Sequence, residues 1–344
     1  MTEALGTASL EDVAKEAGVS IMTVSRAFRS PDALSEKTLS KVLKAADALG
    51  YLPNQIASGL RSKKSQTIAC VMPTISSPVY ARMVQGIADV ISVEGYSPVL
   101  GTSNYAADEE RRVMRSLLAY RPEAVVLAGG DHRAELTRSL TQLRVPIVEL
   151  WELVPKPLDM NVGFSNYKAG AAIIDHLIRM GSRRIALMTI RNEHDRARAR
   201  RAAYGAAVSK HLGHGPIVLA ADLSIEGGRR ALMRLRADHP DVDGLFCTSD
   251  SIALGAMLEA NAVGWQVPDD LAIAGFGDFD IAQHIPPGLT TVRVPEYKVG
   301  QVAGEMIMSR LLGRPEGPST VDVGFEVVAR GSSARPEIKR ARRR

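Results

Sequence analysis

From Ser20 to Arg26 the chain reads Ser-Ile-Met-Thr-Val-Ser-Arg, a run whose residue types suit contact with a nucleic acid. Arg26 carries a planar fork of donors that matches the paired acceptors on a guanine edge. Ile21 and Met22 offer only apolar contact, for example to a thymine methyl group. Thr23 and Ser25 supply hydroxyls of the kind that hold phosphate oxygens. Downstream, Arg61, Lys63 and Lys64 form a short basic stretch suited to a phosphate backbone.

Such side chains need an element to aim them. Leu10, Val13, Ala14 and Ala17 recur at helical spacing, and Gly18 stands where a helix can end in a left-handed residue. A second helix starts at once, with Ser20 placed to cap it. Thr23, Val24 and Phe28 give this helix a narrow apolar stripe, leaving Ile21, Met22, Ser25 and Arg26 outward. A third segment, from Lys37 to Leu49, turns Leu39, Val42, Leu43 and Ala46 inward. Three short helices, the first two joined by a tight turn, read as a helix-turn-helix head whose second helix enters a major groove. Spacing alone leaves an ordinary small helical bundle open.

At 344 residues the chain fits two or three domains. No apolar run approaches the roughly 20 residues of a membrane span. The N-terminus is mixed in charge and shows no secretory signal, so a cytoplasmic protein is expected. Cys70 and Cys247 sit in apolar, strand-like runs, which fits buried thiols in a reducing compartment and not a disulfide framework. The net charge of +5 is no argument for nucleic-acid binding. Arg335, Lys339, Arg340, Arg342, Arg343 and Arg344 against Glu337 account for all of it, and residues 336–344 are expected to form a solvated, disordered tail.

Beyond Thr67 the texture changes. Apolar runs at 67–72, 97–100, 123–127, 146–150, 184–189, 244–247 and 271–274 alternate with helical patterns, among them 79–93, 168–180 and 199–212. Strand–helix alternation over this length predicts an α/β architecture with two parallel sheets covered on both faces. Ligands of such sheets sit beyond the carboxyl ends of the strands, which points to the loops after Met72, Gly163, Thr189, Thr248 and Phe276. Between head and sheets, residues 53–66 carry Pro53 in a permitted first-turn position. Gly59 and polar neighbours make any helix there marginal, so it is expected to fold only against a partner.

Asp12-Val-Ala, Gly18-Val-Ser, Thr23-Val-Ser-Arg26 and Gly50-Tyr51-x-Pro53-Asn54 together resemble the DNA-binding end of the lactose-repressor/galactose-repressor (LacI/GalR) family. Further matches are Gly181 with an Arg-rich strand, Asp250-Ser-Ile-Ala-Leu-Gly-Ala, Val267-Pro-Asp-Asp-Leu-Ala-Ile-Ala-Gly275-Phe and Pro287-x-Leu-Thr-Thr-Val. They extend the resemblance from about Ser9 to about Arg335. It implies a head over 1–52, a hinge helix and linker over 53–66, and a periplasmic-binding-protein-like region of two α/β lobes over 67–335. Ile21 and Met22 then occupy the positions that meet base edges, and Arg26 is the matching recognition-helix arginine. Asn54 and Arg61 fall in the linker's DNA contacts, and Leu60 matches the leucine that wedges into the minor groove at the operator centre. A homodimer on a palindromic operator is the implied assembly.

The same resemblance places a small effector between the two lobes. Arg200 stands at the family's effector-binding arginine, before Ala203-Tyr204. Two positions depart from the acidic pattern common in the family: Gly277 follows Gly275-Phe276 where an Asp is frequent, and Lys168 follows Asn166-Tyr167 where an acidic residue is frequent. Losing one carboxylate and gaining a cation favours an anionic ligand, since a neutral hexose would leave buried charge unpaired. Val148-Glu149-Leu150 and Val162-Gly163-Phe164 bring the chain, by resemblance, toward the gluconate-operon repressor branch, so gluconate or 2-ketogluconate is expected. Ser77, Tyr80, Ser249 and Asp250 complete the candidate set, with capping of the helix that follows the favoured role for Asp250 over ligand contact.

An enzyme on a similar scaffold is the alternative class. Neither a Gly-x-Ser-x-Gly elbow, a phosphate-binding glycine loop nor a spaced His/Cys metal set occurs in the sequence, and no cofactor or catalytic residue is expected. His194 and His284 read as lone, solvated loop residues. A plain solute-binding protein would leave residues 9 to 65 without a purpose.

Overall fold

The computed structural model describes residues 8–51, 65–191, 194–314 and 317–335. They fall into two compact units, divided between Ser65 and Gln66. The expected linker, with Asn54, Leu60 and Arg61, and the basic tail 336–344 lie outside the described residues.

The described residues of the first unit form a head of three α-helices: α1 (Leu10–Ala17), α2 (Ile21–Arg29) and α3 (Glu36–Ala48). Ser9 and Asp12 form a reciprocal cap at the start of α1, and Gly18 ends that helix at φ +62°. The Ser20 hydroxyl accepts the Thr23 amide at 3.1 Å, which fixes where α2 begins. Val13, Val24 and Val42 are fully buried at the centre, joined by Ala14, Ala17, Ala27, Ala45 and Ala46. Leu43 was expected inward, but it is 41% exposed and Ala45 takes the inward place.

In the second unit two parallel sheets form. The first comprises β1 (Thr67–Met72), β2 (Ser97–Thr102), β3 (Ala124–Ala128), β4 (Ile147–Glu152), β5 (Met160–Phe164) and the late β11 (Thr320–Asp322), in the order β11-β5-β4-β3-β1-β2. Strands β1, β3 and β5 are buried almost throughout, as a sheet covered on both faces requires. The helices that accompany it are α4 (Pro78–Ser92), α5 (Ala107–Leu118) and α6 (Ala134–Leu143). The chain then crosses into a second lobe through α7 (Asn166–Arg179). There β6 (Ile185–Ile190), β7 (Ile217–Ala221), β8 (Gly244–Cys247) and β9 (Ala272–Ala274) pair in parallel in the order β7-β6-β8-β9. Helices α8 (Asp195–His211), α9 (Ile225–Asp238) and α10 (Asp250–Ala262) alternate with them.

The chain returns to the first lobe before it ends. From β10 (Thr291–Arg293) it enters α11 (Glu296–Leu311), which packs along α4, and then adds β11 to the first sheet. Gly300 permits that crossing, because a Cβ there would lie 2.0 Å from the Met83 carbonyl oxygen. A last strand, β12 (Glu326–Val328), pairs antiparallel with β10 and leads back to the second lobe. Among the described residues no helix is long and apolar enough to cross a membrane. Cys70 and Cys247 are buried and free.

Candidate functional site

On the head, α2 presents the expected outward face. Ile21 and Met22 are 46% and 69% exposed, and Arg26 is exposed beside them. Two large apolar side chains left in water on a short capped helix gain nothing from folding, and contact with a partner would bury them. Thr23 and Ser25 are half-buried, and the Thr23 hydroxyl lies 2.9 Å from that of Ser20.

A cleft between the two lobes collects loops from the carboxyl ends of both sheets, where the topology directs a ligand. Ser77, Tyr80, Arg200 and Ser249, all expected there, line it. Tyr105, Trp151, His194, Arg196, Phe276 and Phe279 join them, and none of these was singled out as a binding residue from sequence. Arg200 is held on every side: Nε and Nη2 donate to the side-chain Oδ1 of Asn166 at 2.9 and 2.7 Å, Nη1 donates to the Thr248 backbone carbonyl at 2.9 Å, and the guanidinium lies 3.6 Å over the Phe276 ring. Burial pushes its pKa down to about 10.

One helical turn earlier stands Arg196, on the same face of α8. It is only 3% exposed, and its Nη1 has no hydrogen-bond partner among the described residues. Its Nε donates to His194 Nδ1 at 3.3 Å, and the neighbouring carboxylate of Asp195 is committed elsewhere, accepting the amides of Gly130 and Arg196 at 2.8 Å. Although burial works the other way, the Arg196 charge and the two backbone amides hold the Asp195 carboxyl well below its ordinary range. His194 is not the solvated loop residue expected. Its side chain accepts the Ala197 amide to cap α8, and burial with the Arg196 charge pushes its pKa down to about 4, leaving it neutral.

Three expected site residues stand elsewhere. Lys168 is exposed on the first turn of α7, its amide spent on the Ser165 cap, and its side chain does not line the cleft. Asp250 lies fully buried beneath the site. Its carboxylate accepts the Thr291 hydroxyl at 2.6 Å and the Phe279 amide at 2.8 Å, so it fixes the turn carrying Phe276 and Phe279 while Ser249 does the capping. Gly277, at φ +131°, sits under the Phe279 ring with its amide on the Val292 carbonyl, away from the cavity.

Two further groups shape the cleft wall. Trp151 is held at φ +80°, a value that a bulky residue adopts only where its surroundings enforce it. Its ring packs edge-on against Phe164 at 5.0 Å. The adjacent Glu152 has an Oε2 that is buried without a partner among the described residues, and burial raises its pKa.

Comparison with known proteins adds the following. The family model of bacterial regulatory proteins, lacI family, matches residues 9–54, and a periplasmic binding protein-like domain matches residues 174–333. The HTH-type transcriptional regulator GntR of Escherichia coli (strain K12) is 31% identical over 323 residues, which cover 94% of this chain and 98% of that one. A crystal structure of a LacI-family transcriptional regulator from Silicibacter pomeroyi matches with a TM-score of 0.88 and 30% identity, over 95% of this chain and 100% of the other. The lac repressor dimer bound to operator and an anti-inducer shares the fold, with a TM-score of 0.78 and 23% identity over 95% of this chain and 99% of that one.

Proposed function

The chain belongs to the lacI family of bacterial regulatory proteins, and from that premise we propose that it is released from its operator by a monoanionic sugar acid, gluconate or 2-ketogluconate. As a member it is a DNA-binding transcriptional repressor and not an enzyme. It grips a palindromic operator as a homodimer in the cytoplasm, with Ile21, Met22 and Arg26 reading bases and Asn54, Leu60 and Arg61 serving the linker's contacts.

The observation that carries the effector reading is the buried pair Arg196 and Arg200, with Arg196 Nη1 unpartnered. Lys168 no longer supports it. Of the two carboxyl groups near the guanidinium pair, Asp195 is committed to backbone amides and Glu152 is disfavoured as an anion by burial, so a single ligand carboxylate balances the site. A phosphate dianion overshoots that balance, and a neutral sugar leaves a buried cation uncompensated. Glu152 Oε2 supplies an acceptor for a hydroxyl of the polyol chain. Ligand that favours one arrangement of the lobes then shifts the population away from the operator-bound form.

Calorimetry on the full chain with gluconate, 2-ketogluconate, 6-phosphogluconate, glucose and ribose tests the order: acids first, the phosphorylated acid next, neutral sugars last. Glucose binding as tightly as gluconate overturns it. Footprinting with and without the acid tests release, and tighter operator binding with ligand reverses the sign.

A further inference from the structure

We infer that Tyr105 sets the length of ligand the cleft accepts, its ring acting as a partition inside the effector site. The inference rests on the reading of the cleft given above. Two small chambers, of about 60 Å³ and 120 Å³, share Tyr105, His194 and Arg196 in their walls. The first has room for roughly two water molecules. A wider mouth of about 320 Å³, bounded by Ser77, Ser249 and Phe279, meets the same tyrosine. Sites for small organic ligands run from roughly 300 Å³ upward, so neither chamber alone seats a six-carbon acid.

The ring is held in place by two contacts. It lies flat on His194, with centroids 5.0 Å apart and planes 17° from parallel, and meets Tyr80 edge-on at 6.4 Å. Tyr105 comes from the first lobe and His194 from the second, so the stack closes the interior across the cleft. With the ring seated, the mouth and the chamber beside Arg200 together receive a compact acid that reaches the two arginines. The larger chamber, walled by Ser103, Glu110 and Gly129, lies on the far side of the ring and opens to solvent past Asp131 and Arg198. Removing the ring joins all three spaces into one trough long enough for an acid carrying a second sugar ring.

Trp151 reports on the partition without any effector. It is 3% exposed and lines the chamber beside Arg200, and Trp265→Phe in the full chain leaves it as the single tryptophan. In that background Tyr105→Ala is expected to raise quenching of Trp151 by iodide several-fold, and by neutral acrylamide less, because iodide is drawn to the arginines. Tyr105→Phe keeps the stack and is expected to quench like the parent. Calorimetry with lactobionate, a gluconate bearing a galactosyl ring, should show the lactobionate-to-gluconate affinity ratio rising about tenfold in Tyr105→Ala. Unchanged quenching in Tyr105→Ala, or equal rises in the Ala and Phe variants, overturns the partition. If quenching rises as expected while no sugar acid binds either protein, the partition stands and the sugar-acid reading falls.

Discussion

Arg196 and Arg200 differ in how fully they are satisfied, and the difference predicts how each responds to substitution. Arg196→Gln removes the guanidinium with the free donor while keeping an amide, and is expected to cost about 2–5 kcal/mol of gluconate affinity by calorimetry, the range for losing one partner of a buried charge pair. Lys168→Glu should leave affinity within a few tenths of a kcal/mol. A third buried cation behaves differently. His132 Nδ1 lies 2.9 Å from Glu110 Oε2 and its Nε2 lies 3.5 Å from Glu149 Oε1, with all three side chains largely buried. Burial resists protonation, but the two carboxylates win and push the His132 pKa up to about 10 from an ordinary 6.5. A raised pKa stabilises the fold fully below about 6.5, and that contribution is lost as pH climbs through 10. Thermal melts should therefore show the parent losing stability between pH 7 and 10, and His132→Gln, already destabilised by about 3–5 kcal/mol, losing much less over that window. Ser77, Tyr80 and Arg200 were legible from motif and loop position. Arg196 was not, because a buried arginine looks to a hydrophobic pattern like a solvated one.

Element boundaries explain that miss. The strands at 67–72 and 244–247 match their expected limits, since continuous apolar runs leave little freedom. Helix α8 was expected from Ala199 but starts at Asp195, because its buried face opens with Arg196 and Arg200 beside a lone small Ala197 and is continuously apolar only from Ala203. In the head, caps and turn glycine made α1 and α2 readable, and the same features bear predictions. Ser20→Ala should lower head stability by about 1 kcal/mol in a denaturant melt. Arg26→Ala should weaken operator binding by about 1–3 kcal/mol for each half-site contact, read by titration against operator and scrambled DNA. Between α4 and α11 the limit is steric. A valine at Gly300 would drive its Cβ into the Met83 carbonyl, and urea melts of Gly300→Val should show a loss of about 1–3 kcal/mol or more.

For the whole molecule the proposed dimer gives a direct measurement: sedimentation of the full chain should return two copies, and Arg26→Ala, which alters only the DNA face, should not change that. The two-sheet plan was legible from strand–helix alternation. What no local pattern announced is that α11 and β11 belong to the first lobe, because an amphipathic helix carries no mark of which sheet it will cover. That late return has a consequence for biosynthesis. Phe164 closes the fifth strand of the first sheet, yet the helix that covers α4 is not complete until Leu311 has been added. At about 5–20 residues per second, a nascent chain carries that unfinished lobe for roughly seven to thirty seconds. Throughout that interval the face of α4 awaiting α11 and the edge of β5 awaiting β11 are open to other chains emerging from the same message. The second lobe, whose strands β6 to β9 are made in one stretch, is free to fold first.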